Sequence, residues 1–185
     1  MKAKYNVRGA TLVELVCACT VVGVISTLSL PALGEIIASQ RMKTTVSELR
    51  LMIKSARQLA VHNTTTVTLC PSADQITCSG QWRNPLILFA DPNHNERVDA
   101  GEQIERRTTL EPGDADIKWR SLKSYLQFSR EGFTMATSGS LRYCPQDSTK
   151  VNRYRKLVIS RLGRVRISHP KSGITPQKLK QEFGC

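Results

Sequence analysis

The stretch RGATLVELVCACTVVGVISTLSLPAL, residues 8–33, decides how this chain is read. From Ala10 to Leu30 it is apolar almost throughout. As a helix, about 21 residues rising about 1.5 Å each reach about 31 Å, the depth of a bilayer core. Lys2, Lys4 and Arg8 precede it. Basic residues beside an apolar span stay cytoplasmic, so the N-terminus is expected inside and everything after the helix outside. One residue breaks the pattern: Glu14 sits near the start of the span. A carboxylate in hydrocarbon costs about 2.5–3.5 kcal/mol on insertion scales, so it calls for a cationic partner and a function.

An ordinary secretory signal is cut after its apolar core, whereas here the cleavage-like Gly9 lies before it. A cut after Gly9 frees the amino group of Ala10, a cation about one helical turn from Glu14. Between neighbouring chains the same two charges could set axial register.

Basic leader, Gly9, then ATLVELVCACTVVGVISTLSLPAL with glutamate fifth after the cut resembles the class III signal and N-terminal helix of type IV pilins and type II secretion pseudopilins. The resemblance implies a leader over 1–9, cleaved after Gly9 by a prepilin peptidase, and methylation of the new N-terminus at Ala10. It further implies a transmembrane helix over 10–35 and pairing of Glu14 with a neighbour's N-terminus during polymerisation. Ala10 departs from the pattern, since phenylalanine is usual there.

Beyond Pro31 the chain turns amphipathic. Met42, Val46, Leu49, Ile53, Ala56 and Ala60 recur at helical spacing, with Arg41, Lys43, Glu48, Arg50, Lys54 and Arg57 on the other faces. One long helix is expected from about Ala10 to about His62. Seven segments then have strand composition with turn residues between them: 64–70, 85–90, 103–110, 125–129, 140–144, 156–160 and 164–168. A helix followed by short strands predicts an α+β fold, the helix packed on antiparallel sheet. TVTLCPSADQITCSGQW, FADPNHNERVDAGEQI, LQFSREG and LVISRLGRVRI come in the order of the FimT/GspH-type minor pilin and pseudopilin domain, which the chain resembles from residue 36 to 185.

Cys17 and Cys19 lie in the apolar stretch, and Cys70, Cys78, Cys144 and Cys185 in the polar remainder. Four cysteines outside a membrane allow three connectivities in an oxidising compartment. Cys70 with Cys78, closing a short loop, and Cys144 with Cys185, pinning the C-terminal residue, is the favoured set. No C-x-x-C unit or accompanying histidine supports zinc. In DPNHNERVDAGE, Asp91, Asn93, Asn95, Asp99 and Glu102 fall at positions 1, 3, 5, 9 and 12 of a calcium loop. Glu96 stands where that loop needs glycine and no flanking helices are expected, so a turn between strands is preferred over a calcium site.

The net charge is +12, from 27 Lys and Arg against 15 Asp and Glu, which points to an anionic partner. From Lys150 onward come Arg153, Arg155, Lys156, Arg161, Arg164, Arg166, Lys171, Lys178 and Lys180, with Glu182 the only acid. In SRLGRVRIS, Gly163 suits a hairpin turn, after which Arg164, Arg166 and Ser168 share one strand face and Val165 and Ile167 the other. Two arginines about 6.6 Å apart can meet successive phosphates. Gly163-Arg164-Val165-Arg166 also resembles the Gly-Arg-x-Arg motif of FimT-like pilins that bind DNA, which implies a DNA contact at Gly163, Arg164 and Arg166; Arg161 across the turn and Arg155 and Lys156 of the basic block join them as candidate contacts. His62, His94 and His169 have no nucleophile or acid at a telling spacing, so neither enzyme nor cofactor chemistry is expected.

The resemblance therefore implies a non-enzymatic minor type IV pilin of FimT/FimU type, helping to prime or cap pilus assembly and binding DNA non-specifically for uptake in natural transformation. The alternative is a GspH-like minor pseudopilin of a type II secretion system. Implied partners are the prepilin peptidase, other minor and major pilins, the inner membrane and DNA. The implied location is a single pass of the inner membrane with a periplasmic C-terminal domain, then the pilus at the cell surface.

Overall fold

The computed structural model describes Gly9 and residues 11–185, the side chains of 27–32 excepted. It divides into two compact units, Met1–Ala38 and Ser39–Cys185. Helix α1 (Leu12–His62) begins in the first unit, where Thr11 Oγ1 accepts the Glu14 N–H at 3.3 Å. Thr11 and Glu14 thus have the spacing of a capping box, and Glu14 sits at the positive end of the helix dipole. Every side chain from 11 to 26 is exposed, Leu12, Val13, Leu15 and Val22 among them. Among the described residues no helix is long and apolar enough to cross a membrane.

In the second unit α1 buries Met42, Val46, Leu49, Ile53, Ala56 and Ala60, the positions its periodicity marks, together with Thr45 and Met52. This stripe packs on two antiparallel sheets, where a single sheet had been expected. The first is ordered β3-β2-β1-β5, from β1 (Val67–Pro71), β2 (Leu86–Ala90), β3 (Ile104–Thr108) and β5 (Leu126–Phe128). The second is ordered β4-β6-β7-β8, from β4 (Ala115–Arg120), β6 (Gly139–Pro145), β7 (Arg155–Ile159) and β8 (Val165–Ser168). Leu69, Leu88, Leu126 and Phe128 from the first sheet and Ile117, Leu141, Leu157 and Ile159 from the second join the helix in one core. Trp82 and Trp119 stack near its edge with ring centroids 5.0 Å apart.

Strand β4 and helix α2 (Pro176–Phe183) were not foreseen. Strand β4 alternates Ala115, Ile117 and Trp119 with Asp116, Lys118 and Arg120, and it pairs along its whole length with β6. Helix α2 has Thr175 as N-cap, proline in its first turn and a left-handed Gly184 at its end, signals that together start and stop a short helix. Leu179 and Phe183 bury against Tyr154, so the C-terminal segment is packed down. Cys185 then bonds to Cys144 and Cys70 bonds to Cys78, across sequence separations of 41 and 8. Cys17 and Cys19 are free.

Loop-closure entropy grows with loop length, so the two bridges should differ in effect: about 4 kcal/mol for Cys144–Cys185 and about 2.5 kcal/mol for Cys70–Cys78. Thermal unfolding of the paired alanine variants checks the order. The Cys144→Ala, Cys185→Ala chain is expected to melt lower than the Cys70→Ala, Cys78→Ala chain.

Candidate nucleic-acid interface

The β7–β8 hairpin turns through Ser160, Arg161, Leu162 and Gly163, closed by the Gly163 N–H on the Ser160 carbonyl at 2.9 Å. Leu157 and Ile159 of β7 and Val165 and Ile167 of β8 face the core cluster. Alternation sends Arg166 and Ser168 to the other face, where they are exposed, as is Arg164 beside them. Strand β8 is an edge strand, and cationic side chains there also discourage pairing with another sheet.

The hairpin is held from two sides. Thr134 N–H donates to the Arg161 carbonyl at 2.9 Å, and Arg57 Nε of α1 donates to the Gly132 carbonyl at 3.0 Å. Gly163 is packed into this junction with φ +72°, and a Cβ there would sit on the Gly132 carbonyl oxygen and against the Arg57 side chain. Both backbone angle and space therefore require glycine. The first residue of the Gly-Arg-x-Arg motif joins the hairpin to the helix, and the arginines project from that junction.

Cross-strand register extends the basic face. Val158 lies opposite Arg166 and Lys156 opposite Ser168, Arg142 opposite Lys156, and Lys118 opposite Arg142. The C-terminal segment covers part of it: Arg142 Nη1 donates to the Gly184 carbonyl at 3.2 Å and Lys118 Nζ to the Cys185 oxygen at 3.0 Å. Burial pulls the Arg142 guanidinium below its ordinary value, and the like charge of Arg120 adds to this. Arg120, Lys156, Arg164 and Arg166 remain with their heads toward solvent or only partly covered. Sequence reading missed Lys118 and Arg120 because β4 itself went unrecognised.

Two arginines of the basic block do not join this face. Arg153 is buried and meets the Asp114 carboxylate at 3.3 Å. Arg155 shares the inward parity of Leu157, and its Nη1 donates to the Asn152 and Tyr154 carbonyls at 2.6 and 2.7 Å. Burial holds its guanidinium below the ordinary value. Arg155 therefore faces α1, not the strand face that carries Arg166. Arg161 is exposed at the turn.

The loop considered for calcium is tied by its own side chains. Asp91 is fully buried and accepts Thr68 Oγ1 at 2.7 Å, Gln127 Nε2 at 3.1 Å and the Asn95 N–H at 3.0 Å. Asp99 accepts the amides of Asn93 and Asn95 at 2.8 and 2.7 Å, which hold its carboxyl below the usual range. The Glu102 carboxylate accepts the Asp99 N–H at 3.0 Å. Amide donors converge where a cation would need oxygens, and among the described residues no group of three or more His, Cys, Asp or Glu is arranged to hold a metal. Gly9 is exposed, while Ala10 and the basic leader lie outside the described residues.

The family model described as type II transport protein GspH matches residues 45–163, ending at the motif glycine. No curated protein matches the chain. Among solved structures the chain is similar to the type IV minor pilin FimU of Pseudomonas aeruginosa, at 21% identity and TM-score 0.53, over 70% of this chain and 89% of that one. It is also similar to the minor pseudopilin EpsH of the Type 2 Secretion System of Vibrio cholerae, at 12% identity and TM-score 0.51, over 71% and 99%. Both likenesses are of fold.

If Gly163 is the joint described, Gly163→Ala should cost about 1–3 kcal/mol through backbone strain and the clash. Leu162→Ala, one residue away and exposed at the tip, should stay within about 0.5 kcal/mol. Urea unfolding of the two variants measures the contrast.

Proposed function

The chain belongs to the GspH family, and from that premise we propose that it is a type IV minor pilin that helps prime or cap pilus assembly and binds DNA non-specifically. The observation that carries the DNA reading is the edge hairpin, where Arg164 and Arg166 stand exposed on one side of a glycine joint. Among the described residues neither has a carboxylate within ion-pair distance. Such a pair suits phosphate oxygens and lacks the groove-penetrating element that base readout needs. Natural transformation, in which DNA is taken up, is the process this contact would serve.

Assembly rests on the first unit. The exposed apolar side chains of 12–26, continued in sequence to Leu30, support a membrane-inserted helix with the second unit in the periplasm. Cleavage after Gly9 by a prepilin peptidase and methylation at Ala10 would prepare Glu14 to pair with a neighbouring subunit. On this reading the protein acts by binding and assembly.

A second reading has a specific observation behind it: the matching family model is described as a type II transport protein. On that reading the chain is a minor pseudopilin and its arginines meet other minor pseudopilins instead of DNA.

Binding of a short mixed-sequence DNA duplex to the purified full chain, followed across salt concentrations, separates the two. Arg164→Ala with Arg166→Ala is expected to weaken binding and make the slope of log affinity against log salt shallower by about 1.8, at about 0.9 per phosphate contact. Unchanged binding in the double variant would place the contact elsewhere, and no binding by the parent would favour the pseudopilin reading.

Glu14 can be tested apart from its capping role. Glu14→Gln keeps a side chain able to complete a capping box and removes the charge. It is expected to enter the membrane yet fail to enter pili. Normal incorporation would leave Glu14 as a helix cap.

A further inference from the structure

Beside the hairpin, a basic flank of α1 runs along strand β8. Lys43, Arg50, Lys54 and Arg57 follow at i, i+7, i+11 and i+14, one side of the helix, and all four are exposed. Glu48, the acid of this half of α1, falls on the other flank at about 100° per residue. Two hollows lie along the seam, each with walls from α1 and from the hairpin strands. One, of about 490 Å³, has Lys54, Arg57, Gly163 and Arg164 in its wall. The other, of about 350 Å³, is lined by Lys43, Arg50, Arg155 and the apolar Val46 and Ile167. No acidic side chain lines either. Among the described residues none of Lys43, Arg50, Lys54, Arg57, Arg155 and Arg164 has a carboxylate within ion-pair distance.

This arrangement is costly unless something anionic occupies it. Like charges gathered along one seam repel, and a solvated helix face ordinarily intersperses acids among its bases. Arg155 sharpens the point. It lies inward of the sheet face, which removes it from the Arg166 surface, and that same orientation aims it at the helix flank.

We propose that the seam between α1 and β8 is a phosphate-backbone track, continuous with the Arg164–Arg166 hairpin, in which one strand of DNA is held between the helix flank and the edge strand. The proposal rests on the DNA reading of the hairpin and adds residues to it that lie more than a hundred positions earlier in the chain. From Lys43 to Arg57 the flank is about 21 Å long at 1.5 Å per residue. At about 3.4 Å of rise per phosphate along one strand, that length matches about six phosphates. The apolar floor of Val46 and Ile167 offers no hydrogen bond to bases, so the track grips charge and spacing and is indifferent to sequence. Arg57 is the shared element, since its Nε anchors the hairpin through Gly132 and its side chain borders the track.

The test uses the full chain and the same mixed-sequence duplex. Lys43→Ala, Arg50→Ala and Lys54→Ala change exposed helix positions to a residue of high helix propensity, so the melting temperature should hold. A control removes equal charge from the first sheet's side, at the exposed Arg97, Arg106 and Arg107. The helix variant is expected to lose on the order of 100-fold in affinity near 0.15 M salt, with a slope shallower by about 2.7. The control is expected to keep the parent slope. Equal losses in both would mean binding follows net charge and would overturn the track. A helix variant that binds as the parent does, while the Arg164→Ala, Arg166→Ala variant does not, overturns the track and leaves the hairpin reading standing. If the parent ignores DNA but binds vesicles of anionic lipid through Lys43, Arg50 and Lys54, the seam is a lipid contact and the track is wrong.

Discussion

The junction of Gly163, the Gly132 carbonyl and Arg57 is the constraint on which the proposed binding surface depends. A hairpin at the edge of a sheet has one strand neighbour, and nothing in its own hydrogen bonds fixes it against a helix. Here a glycine with positive φ lets the turn close against a neighbouring loop, and an arginine of α1 hydrogen-bonds that loop at the same spot. The Thr134–Arg161 hydrogen bond holds the turn's remaining edge. The same few atoms therefore set the direction of Arg164 and the distance from β8 to the helix. A side chain at position 163 would disturb fold and surface together.

How much of this was legible in the sequence depends on the range over which the determining contacts act. The apolar stripe of α1 could be read because 3.6-residue periodicity is local, and its six marked residues are all buried. The division into two sheets could not, because it depends on β1 pairing with both β2 and β5 while β4 passes to β6. Strand β4 hid behind Asp116 and Lys118, residues of low strand propensity, although its alternation was present. Helix α2 is too short to show a period, and its signals were the cap at Thr175 and the turn at Gly184.

The candidate site was legible in the same uneven way. Gly163, Arg164 and Arg166 stand together in sequence, and alternation alone placed both arginines on one face. Arg155 was grouped with them by proximity along the chain, yet Leu157 and Ile159 facing inward fix its parity the other way. Lys43, Arg50 and Lys54 read as the solvent side of an amphipathic helix. Only the position of β8 beside them makes that side part of a basic seam, and no local pattern carries that information.

On the proposed reading the chain divides by role: an N-terminal helix with exposed apolar side chains that would serve membrane insertion and assembly, and a second unit whose hairpin and helix flank present charge. Amide chemical shifts of the isotopically labelled full chain, recorded as a DNA duplex is added, test that division most directly. Perturbations gathered at residues 160–167 and along 43–57, with β2 and β3 unmoved, are the predicted result. Perturbations centred on β2 and β3, or none at the Gly163 junction while DNA binds, would contradict it.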